Sequence, residues 1–244
     1  EGMPRLADAL VGMTPGEFRK RVYFGNSGAE ATEAAMKLTR YHSRRPRFLA
    51  FTGAFHGRTM GALSLTASKP VQVRGFSPLV PGVEHVPYPY CYRCPFGKTF
   101  PDCGFFCVDF IEDQLFRRHV PPDEVAAFFV EPIQGEGGYV VPPDGYFRRL
   151  KSLVEPHGIL LVDDEIQSGM GRTGRWFAIE HFGVEPDVVL VAKAIASGLP
   201  LSAMIARDEL MDWPPGSHAS TFGGNPVAVE AVIATIRTMR RMRI

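Results

Sequence analysis

The run "DVVLVAK" carries five apolar residues, Val188 to Ala192, into a lysine, and "AIASGLP" then continues with small or apolar residues. Lysine is almost never fully buried without a partner. Either Lys193 snorkels from a strand edge to water on its long stem, or its ammonium is desolvated. Desolvation lowers the pKa and frees an amine that attacks carbonyls. Three other stretches could supply chemistry beside it. "GILLVDDEIQSG" ends an apolar run on Asp163 and Asp164, which strand alternation points to opposite faces. Held near a nitrogen heterocycle, one of them would keep that nitrogen protonated. "VYFGNSGAEATEAAMKL" runs a strand into Gly25-Asn26-Ser27-Gly28 and then into a helix. The free N–H groups and dipole of that helix start suit a phosphate. Ser27 with Glu30 equally reads as a capping box that needs no ligand. In "FLAFTGAFHGRT", Phe55-His56-Gly57 sits just past a strand, where the ring either stacks on a planar ligand or joins the core.

A lysine amine, an acid for a ring nitrogen, a phosphate turn and a stacking aromatic are the parts a pyridoxal phosphate site needs. Each is weak singly, and their joint occurrence after successive strands carries the argument. The hexapeptide Gly169 to Gly174 spells G-x-G-x-x-G. A dinucleotide turn takes its glycines straight off a strand, whereas Asp164 to Ser168 intervene here, so that reading is rejected.

Positioning these residues requires an α/β fold. Apolar β-branched runs alternate with helical stretches, the pattern of a mostly parallel sheet covered by helices. The expected strands are 22–24, 48–52, 126–130, 159–163, 188–191 and 203–205. The expected helices are 29–43, 108–117, 146–155 and 226–240. "AAFFV", "GILLV" and "DVVLV" lack alternation, as strands buried on both faces do. In such sheets ligands sit beyond the carboxyl ends of the strands, and the candidate residues follow those ends.

Taken together, "NSGAEATEAAMKLTR", "AFHGRT", "VEPIQGEGG", "DEIQSGMGRTG", "AKAIASGLPLSA" and "TFGGNPVA" resemble the class III (ω-amino acid) aminotransferases, in their 4-aminobutyrate/ornithine-like branch. The resemblance spans nearly all of residues 21–235. It implies the large domain of a fold-type-I pyridoxal phosphate enzyme, three-layered around a mostly parallel sheet. It implies that Lys193 bonds the cofactor and shuttles the proton, and that Asp164 binds the pyridine nitrogen. Ile166 would pack on one ring face and Phe55 on the other, with His56 beside it. Gln167 would reach the phenolic oxygen, and Ser27, Gly28 and Ala29 would hold the phosphate. Thr221 would contact the same phosphate from the partner subunit of a homodimer. Glu131, counted with the cofactor-binding residues, and Glu136, counted with the catalytic ones, match the family's inner acidic pair. In many members the second of these pairs with a C-terminal arginine. That arginine, the small C-terminal domain and the N-terminal substrate-contacting segment find no match. Residues 1–244 are therefore expected to be the cofactor-binding large domain of something longer, which the uncapped helical end at Ile244 also indicates. The implied reaction moves an amino group from an ω-amino acid to a 2-oxo acid. The alternatives are an amino-acid racemase of the same family, or a non-catalytic metal-binding module.

That last alternative comes from Cys91, Cys94, Cys103 and Cys107, spaced C-x2-C-x8-C-x3-C. Four thiols could close a tetrahedral zinc site, and the competing expectation is a proline-braced surface loop of reduced thiols. With 244 residues, 45% of them hydrophobic, the chain can bury a real core. A net charge of +1 gives no sign of a nucleic acid or membrane partner. No apolar stretch has the length of a membrane helix, so a cytoplasmic-type protein is expected.

Overall fold

The computed structural model describes residues 1–242; the uncapped end read at Ile244 lies outside them. One seven-stranded sheet forms the middle layer, in the order β1 (Lys20–Gly25), β7 (Ser202–Arg207), β6 (Val188–Val191), β5 (Leu160–Asp164), β4 (Val125–Val130), β2 (Arg47–Phe51), β3 (Val83–Val86). Pairing is parallel from β6 through β3, and β7 runs antiparallel to both β6 and β1. Six strands therefore point one way and only β7 is reversed. Five of those six strands, β1, β2, β4, β5 and β6, deliver candidate residues to the same edge.

Alternation along the buried strands splits the core in two. Phe51, Phe128, Val130, Leu161 and Val189 face one side, with the helices α1 (Gly2–Met13), α6 (Tyr146–Val154) and α7 (Pro226–Met242). Phe48, Phe129, Val162 and Leu190 face the other, against α2 (Gly28–Ser43) and α3 (Met60–Leu65). Helices α4 (Pro70–Val73) and α5 (Phe106–Phe110) are short. Ala31, Ala34 and Ala35 keep α2 thin where it lies on the sheet, and all three are essentially unexposed. Small side chains let a helix approach a flat apolar surface closely.

The expected elements all form, with boundaries moved by a few residues. The expected 108–117 helix is instead α5 followed by a widened turn over Ile111–Phe116. Helix α1 has only two fully buried side chains, Leu6 and Leu10, one turn apart. Strand β3 has four residues at the sheet edge. Segments so short, or with so thin an apolar stripe, carry little periodicity to read. Among the described residues no helix is long and apolar enough to cross a membrane.

Candidate active site

A cleft of about 500 Å³ opens at the carboxyl edge of the parallel strands. Ser27, Gly28 and Ala29 enter it from the end of β1, Phe55 and His56 from β2, and Glu131 from β4. Asp164, Ile166 and Gln167 enter from β5, and Lys193 from β6. Ten of the twelve expected site residues thus meet in one concavity.

Both readings of Ser27 hold together. Its Oγ accepts from Glu30 N at 3.2 Å as the N-cap of α2, while Ser27 to Ala29 still line the cleft. Glu30 Oε2 accepts from Asn26 N at 2.9 Å, so the carboxylate reaches back past the cap instead of into the cleft. Gly28 is sterically required. A Cβ there would lie 2.8 Å from Ile166 Cδ1, and only its absence lets Ile166 approach the helix start. Gln167 packs its amide against Gly135, where a Cβ would overlap it.

Asp164 and Asp163 do face opposite sides. Asp164, 3% exposed, accepts from His56 Nδ1 at 2.7 Å on Oδ2 and from Ile166 N at 3.0 Å on Oδ1. Each carboxylate oxygen has a second lone pair, so the group retains acceptor capacity toward the cleft. Asp163 is fully buried and neither oxygen has a partner. Burial, with Glu165 and Asp164 nearby, pushes its carboxyl well up, so it sits in the core as a neutral acid.

His56 anchors Asp164 from below. Burial alone would lower its pKa; the hydrogen bond and charge of Asp164, joined by the charge of Glu131, outweigh burial and raise it. Glu131 accepts from Phe55 N at 3.1 Å and Gly135 N at 3.2 Å. That pins the Phe55–His56 loop to the loop after β4. Burial pushes its carboxyl up to about 7, against the opposing pull of His56.

These groups give a pH prediction. Glu131 releases its proton near pH 4.5 when unfolded and near 7 when folded. The folded state thus holds a proton the unfolded state has lost, and stability falls as pH rises between those values. A shift of this size amounts to about 3 kcal/mol. His56, raised above 6.5, adds loss in the same direction as pH climbs through its folded value. The melting temperature should therefore decline from pH 5 to pH 8, and Glu131→Gln should flatten the decline. A melting temperature that rises over this range contradicts the assignment.

Two expectations change. Lys193 is exposed, not desolvated: the chain leaves the sheet at Ala192 and Lys193 takes a left-handed backbone, φ 48°. A lysine confined to this region costs about 1 kcal/mol, of the kind stored at functional positions. The turn swings it out of the strand register and into the open cleft. Glu136 does not line the cleft; its carboxylate pairs with Lys69 Nζ at 2.6 Å. Thr221 also lies outside, in a separate concavity with Tyr23 and Glu33 across the Asn26 turn. Arg58 does line the cleft, its guanidinium 5.6 Å from the Phe55 ring centroid. It went unselected although it stands two residues after His56, and a cation on a loop leaving β2 at this edge was the available signal. The four cysteines are free thiols around one small cavity of about 20 Å³. Among the described residues no group of three or more His, Cys, Asp or Glu is placed to hold a metal ion. Burial pushes the Cys107 thiol up to about 12.

The family model described as "Aminotransferase class-III" matches residues 1–244. The chain belongs to the class-III aminotransferases. It is 47% identical over 232 residues to a leucine/methionine racemase of Thermococcus litoralis, covering 95% of this chain and 52% of the racemase. It is 45% identical over 240 residues to an acetylornithine aminotransferase of Methanopyrus kandleri, covering 98% and 55%. Among solved structures, an amine transaminase from an uncultivated Pseudomonas species in its pyridoxal phosphate-bound form superposes with a TM-score of 0.92 at 30% identity, covering 100% of this chain and 58% of that one. This class-III chain spans about half the length of the curated relatives it matches.

Proposed function

We propose that residues 1–244 are the pyridoxal phosphate-binding large domain of a transaminase. The reaction moves an amino group from an ω-amino acid, of the 4-aminobutyrate, ornithine or acetylornithine type, to a 2-oxo acid. The observation that carries this reading is the convergence of Lys193, Asp164 and the Ser27–Ala29 helix start on one cleft.

The residues present fit the cofactor. Gly28 leaves the space a Cβ would fill between the helix start and Ile166. Asp164 is a buried anion with spare acceptor capacity at the cleft floor. The first N–H groups of α2 suit a phosphate. When bound, pyridoxal phosphate supplies an electron sink for the substrate carbon. Ser27, Gly28 and Ala29 would hold its phosphate, Asp164 its ring nitrogen, Gln167 its phenolic oxygen, and Ile166 and Phe55 its two ring faces. Lys193 would bond it covalently, then take a proton at Nζ from the substrate and return it. Its exposure to the cleft gives the amine the access this needs. His56 and Glu131 hold the floor in position through Asp164 and Phe55 N. Arg58 places a cation at the wall, suited to a substrate carboxylate.

Thr221 belongs in this reading to the neighbouring subunit's phosphate site, in a homodimer. Its place outside its own cleft, beside Phe222 at 73% exposure, supports that assignment. Glu136 would act at the cleft mouth, released from Lys69. A racemase is the second reading, favoured by the 47% identity to the Thermococcus litoralis enzyme. The parts assembled here serve either outcome, because the two differ in where the proton returns.

Assay of the full-length holoprotein separates them. Each amino donor is incubated with a 2-oxo acid and the new amino acid is quantified. In parallel, L-amino acids without acceptor are followed by chiral chromatography. Amino transfer from ω-amino donors is expected. Loss of chirality with no amino transfer overturns the transaminase and establishes the racemase.

A further inference from the structure

A second chamber, of about 850 Å³, adjoins the cleft and shares Ile166, Gln167, Lys193 and Gly198 with it. Its lining contains no Asp or Glu. Its charges are Lys193 and Arg172, and Arg172 makes no ion pair among the described residues. Apart from the Gln167 amide, the rest of the wall is apolar or hydroxyl-bearing, with Ile133, Ala194, Ser168 and Thr173. An uncompensated cation sharing a chamber wall with Lys193, with no acid in the lining, selects for an anion.

The turn that presents Arg172 is built, not loose. Met170, a buried side chain, takes a left-handed backbone at φ 54°, and Gly171 and Gly174 follow at φ 85° and 84°. Such strain persists only where the surroundings over-determine it, and they do so here. Glu165 lies beneath, 1% exposed. It accepts from Ser168 Oγ at 2.6 Å and Ile179 N at 2.8 Å, and its carbonyl takes Gly169 N at 2.9 Å. His181 Nε2 sits 3.1 Å from Thr173 Oγ1. Behind, Met239 of α7 packs so close to Gly171 that a Cβ there would collide with its methyl. The G-x-G-x-x-G rejected as a nucleotide turn is thus a tight, pinned loop that holds one guanidinium over the chamber.

We propose that Arg172 binds the second carboxylate of a dicarboxylic acceptor, the one farthest from the reacting carbon, making this chamber the subsite for that group. The inference rests on the transaminase reading and names its substrate class. A planar guanidinium forms two parallel hydrogen bonds with a carboxylate, which a lysine ammonium does not reproduce. Hydrogen bonds to charged groups are worth enough for an affinity change of about tenfold or more.

The test uses the full-length holoprotein with unreactive probes, glutarate with two carboxylates and butyrate with one, as competitive inhibitors. Their dissociation constants are also measured by calorimetry. In Arg172→Gln, glutarate should weaken by about tenfold or more while butyrate is unmoved, and Arg172→Lys should recover part of the loss. Equal weakening of both probes, or no weakening of either, overturns the subsite. Covalent trapping of the cofactor on Lys193 does not depend on Arg172. If trapping succeeds and the probes fail to discriminate, the subsite alone falls; if trapping fails, the functional reading falls with it.

Discussion

Asp164→Asn should keep the strand in place and lower turnover by about 10²- to 10³-fold, the loss that follows removal of one preorganised electrostatic group. Asparagine has the same shape and still accepts one hydrogen bond, from His56 Nδ1 or Ile166 N. It lacks the negative charge. That charge does two things in the native site: it raises the pKa of His56, and it faces the cleft where a ring nitrogen would need an anion to stay protonated. The neighbouring residue supplies the control. Asp163 is on the opposite face, neutral and unpartnered in the core, so Asp163→Asn should leave turnover unchanged. Kinetics of both variants as full-length holoproteins check the pair. If Asp164→Asn loses only a few-fold, Asp164 is a structural clamp for His56 and the floor of the cleft has no electronic role.

Much of this site was legible in the sequence because local rules carried it. Alternation places two adjacent aspartates on opposite faces but leaves open which one meets the cleft; the choice of Asp164 came from the resemblance, and Asp164 is the one that lines the cleft. Ser27 followed by Glu30 marks a helix start, and the structure makes that cap while leaving the first turn open to a ligand. Parallel strands deliver their ends to one edge, which brings residues as distant as Ser27 and Lys193 together.

What was not legible came from distant pairings and from backbone geometry. Nothing local links Lys69 to Glu136, yet their contact draws the carboxylate away from the cleft and holds its pKa below the usual range. The lysine at position 193 follows an apolar run, from which burial was the natural inference. A single left-handed residue reverses it by turning the chain out of the sheet. Side-chain type does not forecast that turn, because lysine has no preference for positive φ. Arg172 was passed over for a related reason. Its motif suggested a nucleotide, and only the packing of the loop on Glu165 and Met239 shows that the glycines serve to hold an arginine.

The largest effect belongs to Lys193. Lys193→Ala removes both the covalent anchor and the group that moves the proton, and should abolish turnover. Loss of a catalytic nucleophile costs about 10⁶ in turnover in well-studied hydrolases. Its exposed position predicts little change in the melting temperature, since no buried contact is lost. The substitution therefore separates chemistry from folding.

The most direct measurement is reductive trapping. Pyridoxal phosphate is added to the protein and to Lys193→Ala, borohydride follows, and peptide mass spectrometry locates the phosphopyridoxyl group. One group per chain on Lys193, and none in the variant, is the predicted result. Labelling spread over other lysines and equal in the variant, or no labelling in either, would mean that Lys193 is a solvent-exposed turn residue and that the cleft is not a pyridoxal phosphate site.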